Sequence, residues 1–194
     1  DNGIDGPAFL RARLLDLLIG DWDRHPDQWR WGDTRKGKKK IYVGIPRGRG
    51  NPVDEVLTYP RRSATADGTR PNGNIYFMWN KDVRSSTRDK CFPAVAAQIK
   101  ASGARAVVQQ GRLPTGAKDV AGLMVGAAEF NLSKEGVKIL PGAICEHLTS
   151  EGGIMAPSNQ TPLTDFLRAG AAGASGTVVE PRAIQAKFPL PSLQ

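Results

Sequence analysis

A strand, a helix and a second strand follow one another between residues 74 and 109, and that order narrows the fold more than any other feature of the chain. Asn74, Ile75, Tyr76, Phe77, Met78 and Trp79 follow the turn Pro71-Asn72-Gly73, and their aromatic and apolar character predicts a buried strand. Ser85 or Ser86 is placed to cap a helix running toward Ser102, with Phe92, Val95, Ala96 and Ile99 at helical spacing. Pro93 falls inside that pattern, so the helix either begins near Cys91, with Pro93 in its first turn, or kinks there. Gly103 stops it, and residues 104–109 form the next strand. A βαβ unit of this length brings its two strands parallel through a right-handed crossover.

The same alternation continues. Residues 120–128 are apolar and read as a strand or a buried helical turn. Pro141-Gly142 introduces a strand over 143–148 that ends in the polar cluster Thr149, Ser150, Glu151, Gly152, Gly153. Thr161 is expected to cap a helix through Ala169, with Leu163, Phe166 and Leu167 inward and Gly170 or Gly173 ending it. Residues 176–180 (GTVVE) make a further strand. The reading is an α/β fold: a mainly parallel sheet with flanking helices over residues 51–194, whose ligand-binding groups belong at the carboxyl ends of the strands. Missing sheet elements would leave a strand edge open to homo-oligomers.

Residues 1–50 differ. Residues 7–19 predict a helix, Phe9, Leu10, Leu14, Leu17 and Leu18 forming its buried stripe. Trp29 and Trp31 alternate as in a short strand, and residues 40–45 form a second β-like run. Net charge across 194 residues is +8, yet residues 30–50 hold eight basic residues against Asp33 alone. Arg35, Lys36, Lys38, Lys39, Lys40, Arg47 and Arg49 therefore form a local cationic patch. As a solvated loop it needs no partner; as a site it fits nucleic acid or another anionic surface, with Trp29 and Trp31 available for base stacking. With 22 Gly and 14 Pro the chain is turn-rich but globular. No apolar run reaches 18 residues, which excludes a helical membrane span, and no charged-then-apolar leader opens the chain. Two cysteines cannot build a disulfide framework or a four-cysteine zinc site, and we expect no metal and no resident cofactor.

The phrase GDWDRHPDQWRW, residues 20–31, resembles the catalytic loop of atypical protein-kinase-like phosphotransferases, the HipA-like and Golgi-secretory-kinase-like groups. That resemblance implies that Asp23 accepts a substrate hydroxyl proton and that Gln28 helps hold magnesium with ATP. Glycines stand at 48 and 50, where the second metal-binding carboxylate would be expected, and no nucleotide-binding lobe precedes the loop.

The phrases RRSATADGTRPNGNIYFMWNKDVRSSTRDKCFP, ILPGAICEHLTSEGG and QTPLTDFLRAGAAGASGTVVEP resemble a bacterial family without an established reaction. Many of its members are exported, and its core is distantly similar to the caspase and gingipain α/β fold. About 140 of the 194 residues take part. A kinase-like opening is not the usual companion of such a core, which implies a chimera, a generated fusion or a fragment.

Within this second region Cys145 and His147 lie two apart on one strand and so share a face, with Glu146 opposite. A thiol beside an imidazole is the arrangement of cysteine hydrolases, since the histidine takes the thiol proton. Ser150 and Glu180 complete that hydrolase reading, the acid orienting the imidazole across the sheet edge. The alternative is a small buried Cys145 and a His147 bonded to a backbone group. Turnover by the isolated chain is not expected under either reading.

Overall fold

The computed structural model describes residues 58–154, 159–177 and 182–184 in full, and residues 3–4, 29–36, 39–46 and 53–57 as backbone. The chain divides into two compact units, Asp1–Pro52 and Val53–Gln194. The helix expected over 7–19, the 20–28 loop with Asp23 and Gln28, and Lys38, Arg47, Arg49 and Glu180 lie outside the described residues.

In the first unit, β1 (Gly3–Ile4) pairs parallel with β3 (Lys39–Pro46), which pairs antiparallel with β2 (Trp29–Lys36). The strand expected at Trp29 and Trp31 is present, but the reading of residues 35–40 as a loop is corrected. Strand pairing runs to Lys36 and resumes at Lys39. Two residues suffice to connect hairpin strands, and lysines and arginines do not prevent extended backbone.

The second unit begins with an element that sequence reading missed, α1 (Val53–Ala66), which contains Pro60. A proline in a helix interior removes one backbone hydrogen bond, so tertiary contacts must hold the helix. Tyr59 is buried in the core. Arg62 donates from Nη1 to the carbonyls of Leu167 and Ala171, and Ser63 Oγ to that of Ala172.

Strand β4 (Asn74–Trp79) is followed by the one-turn α2 (Val83–Ser86), a 3-10 turn at Asp89–Cys91, and α3 (Phe92–Ala101). Of the two readings left open at Pro93, the helix that begins near Cys91 holds, and residues 83–86 form a separate turn. Asp82, not a serine, caps the first turn by accepting from Arg84 N, and the long helix begins at Phe92 with Pro93 in its first turn. β5 (Arg105–Gln110), β6 (Val120–Gly126), β7 (Ile139–Leu148), α4 (Thr164–Ala169) and β8 (Gly173–Gly176) follow. Residues 120–126, left open between strand and helical turn, are extended.

Five parallel strands lie in the order β5-β4-β6-β7-β8. The chain starts in the sheet at β4, adds β5 on one side and then builds outward on the other. This is a doubly wound order whose switch point lies between β4 and β6. One face carries Tyr76, Met78, Leu123, Val125 and Cys145 against Tyr59 of α1 and Phe166 and Leu167 of α4. The opposite face carries Phe77, Ala106 and Met124 against Phe92, Val95 and Ala96 of α3, with the rings of Phe77 and Phe92 5.3 Å apart. Helices flanking both faces make three layers.

Two further expectations are corrected. Thr161 does not cap α4: its hydroxyl accepts from Phe130 N at 2.9 Å and donates to Phe130 O at 3.0 Å, and the helix starts after Leu163. Among the described residues the last strand is Gly173–Gly176, which the expected strand over 176–180 meets only at Gly176; Thr177 is outside the strand and 178–180 lie outside the described residues. Gly, Ala, Ser and Gly are poor strand formers, but a Cβ at Gly176 would come within 2.8 Å of the Gly152 backbone, so close approach selects small residues over the β-branched run that follows. Among the described residues no helix is long and apolar enough to cross a membrane.

Candidate functional site at the carboxyl edge of the sheet

Strand β7 carries the residues of the hydrolase reading. Its register sets Cys145 beside Leu123 and Ala174, Glu146 beside Met124 and Ser175, and His147 beside Val125 and Gly176. Alternation therefore sends Cys145 and His147 into one core face and Glu146 into the other. Cys145 is fully buried, and that burial pushes its thiol far above the ordinary range. A thiol held in its protonated form is a core residue rather than a nucleophile.

His147 is also fully buried. Its Nε2 lies 2.7 Å from the carbonyl of Ala127, an acceptor, which fixes the Nε2–H tautomer. The ring stands edge-on to Phe130 and Phe166, with centroids 4.8 and 5.9 Å away. Burial, then the charges of Arg88 and Arg84, lower its pKa to about 4 against the pull of the Ala127 carbonyl. Nδ1 has no hydrogen-bond partner. Gly152 closes over it: a Cβ there would sit 2.9 Å from Nδ1 and 2.7 Å from Thr149 Cγ2. The imidazole thus ties β7 to the loop after β6, as a neutral group.

On the other face Glu146 is paired with Arg88, both buried, and Arg88 Nη2 also donates to Val125 O at 3.4 Å. Burial pushes the Glu146 carboxyl up, and Arg88 pulls it partly back. Cys91 is half-buried and donates from Sγ to the Arg88 carbonyl at 2.8 Å. Ser150 follows β7 on a loop fixed by its neighbours: Thr149 Oγ1 donates to Gln160 Oε1, Glu151 N donates to the same atom at 3.0 Å, and Thr177 Oγ1 donates to Thr149 O. The structure brings Cys145 and His147 to one face, sets Ser150 beyond the end of their strand, and leaves Glu180 outside the described residues.

The carboxyl edge contains functional candidates that sequence reading passed over. Asn80, just after β4, donates from Nδ2 to the carbonyls of Gly111 and Gly126 at 3.3 and 3.1 Å, and its Oδ1 accepts from Asp82 N at 2.9 Å. It closes the crevice at the switch point with the protein's own amide. The opening is displaced toward β7, where α2 lies directly on β6: a Cβ at Gly126 would be 2.6 Å from the Ser85 backbone. There a cleft of about 100 Å³ is lined by Val83, Arg84, Thr87, Thr149, Ser150 and Arg182, among others. The cleft has room for a small polar group. Arg84 Nη1 pairs with Asp82 Oδ1 at 3.0 Å, whereas its Nε, withdrawn from solvent, has no acceptor among the described residues. The sequence signal for this corner was the Asn-Lys-Asp triplet after a strand, a turn-and-cap pattern preceding an arginine.

Among the described residues no three histidines, cysteines or carboxylates gather to hold a metal. Compared with protein-family models, with curated proteins and with solved structures, the chain matches none.

Proposed function

We propose that the unit Val53–Gln194 is a binding module without turnover of its own, which receives a small anionic group, a carboxylate or a phosphate, in the cleft beyond β7. The observation that carries this reading is the partly exposed guanidinium of Arg84, a cationic group lining the cleft together with the hydroxyls of Thr149 and Ser150. An anionic oxygen makes a charge-assisted bond to a guanidinium, stronger than one between neutral groups. The position agrees with the rule that doubly wound sheets bind ligands beyond the carboxyl ends of their strands. Ser150, carried over from the hydrolase reading, becomes a cleft-lining hydroxyl. Against the hydrolase reading itself stand the burial of Cys145 and the commitment of His147 Nε2 to Ala127. The Asp23 phosphotransferase reading has no described residue to support it.

The test is an NMR titration of the full chain with inorganic phosphate and, separately, acetate. Saturable shifts confined to residues 83–88 and 148–150 are expected, and Arg84→Gln should abolish them while leaving the thermal melt within a few degrees. Absence of saturation in the wild type, or equal saturation in Arg84→Gln, overturns the reading.

A further inference from the structure

The register of the β2–β3 hairpin, independent of the cleft, gives the cationic segment a shape that its sequence did not reveal. Arg35 lies opposite Lys40, and Lys36 opposite Lys39. Two successive like-charged pairs thus close the hairpin, an arrangement that works against strand pairing until an anion neutralises it. The same register sorts residues between the two faces. Positions 29, 31, 33 and 35 share a face with 46, 44, 42 and 40, so Trp29, Trp31, Tyr42, Arg35 and Lys40 fall together, with Asp33. Arg30, Thr34, Lys36 and Lys39 fall on the opposite face with the aliphatic Ile41, Val43 and Ile45.

The two faces suit different uses. One groups the aliphatic positions 41, 43 and 45 with the three cationic positions 30, 36 and 39. The other side combines three aromatic positions with two cationic ones and one acidic one, Asp33, and sets Gly44 opposite Trp31. Aromatic rings that stack on bases beside cations that track a phosphate backbone are what proteins use to hold single-stranded nucleic acid. A phosphate-only surface such as duplex backbone is better served by the opposite face, which carries three cationic positions and no acidic one; the three aromatic positions direct a base-stacking ligand to this face.

We propose that the Trp29, Trp31, Tyr42, Arg35 and Lys40 face of this hairpin binds single-stranded nucleic acid. The test uses the full chain and a fluorescein-labelled dT20 oligonucleotide, followed by anisotropy between 50 and 200 mM NaCl. Binding should weaken with salt, with a log–log slope of about −0.7 for each phosphate neutralised. Trp31→Leu should weaken binding about tenfold without changing the slope, because stacking releases no counterions. Arg35→Gln with Lys40→Gln should flatten the slope by about 1.4, and more than the opposite-face pair Lys36→Gln with Lys39→Gln. This second comparison keeps the test decisive if the tryptophan variant misfolds. Equal losses from the two charge pairs, or equal binding to a duplex of the same length or to phosphatidylglycerol vesicles, would overturn the proposal, as would salt-independent binding or none.

Discussion

The two faces of β7 bury ionisable groups by opposite means. His147 enters a face of aromatic and aliphatic side chains, gives its one N–H to Ala127, and remains neutral. One residue earlier Glu146 enters the other face and is matched by Arg88. A neutral imidazole needs one acceptor, whereas a buried carboxylate needs a counter-charge, and removing that charge costs more than removing a neutral hydrogen bond. The difference teaches that the Cys-Glu-His triplet, which reads as catalytic by residue type, is divided by strand alternation into a packed neutral half and an ion-paired half.

Three comparisons sharpen this contrast. The largest effect belongs to the paired half: Arg88→Leu leaves Glu146 buried without its cation and should lower unfolding free energy by about 3–5 kcal/mol in urea denaturation. Adding Glu146→Leu should restore most of the loss, and failure to restore it would mean that Arg88 acts by packing alone.

The next effect is one of pH. The folded pKa of His147, about 4, lies below the ordinary histidine value of 6.5, so the unfolded chain takes up the proton first. Its share of stability is intact above pH 6.5 and is lost as pH falls toward 4, by about 3 kcal/mol. The stability of wild type relative to His147→Gln should decline by that amount between pH 7 and pH 4. Taking the difference cancels most of what Glu146 contributes, and a flat difference would refute the neutral, buried assignment. The smallest effect is Gly152→Ala, where the new methyl meets the imidazole and Thr149. A loss of about 2 kcal/mol is expected from overpacking, read as a shift in urea midpoint, and no loss would mean that the loop yields freely.

Much of the fold was legible because periodicity and turn chemistry agreed. Asn74–Trp79 was read with its bounds, and the parallel α/β architecture followed from the alternation of elements. What escaped was set by tertiary contact. Pro60 hides α1, which Arg62 and Ser63 anchor from a distance. Thr161 resembles a cap but serves Phe130. At Gly173–Gly176 close approach outweighed β-propensity. The cysteine and histidine were placed on one face correctly, but alternation says nothing about burial, and burial decides whether a thiol ionises. Asn80 and Arg84 were illegible as a site because their roles depend on Gly111, Gly126 and residues 148–150, far along the chain.

The most direct measurement of the central claim, that Cys145 and His147 are core rather than reactive groups, is alkylation of the native protein by iodoacetamide at pH 8, mapped by mass spectrometry. The account predicts modification at half-buried Cys91 and at Cys145 only after denaturation. Native alkylation of Cys145 faster than Cys91, slowed by His147→Ala, would contradict it.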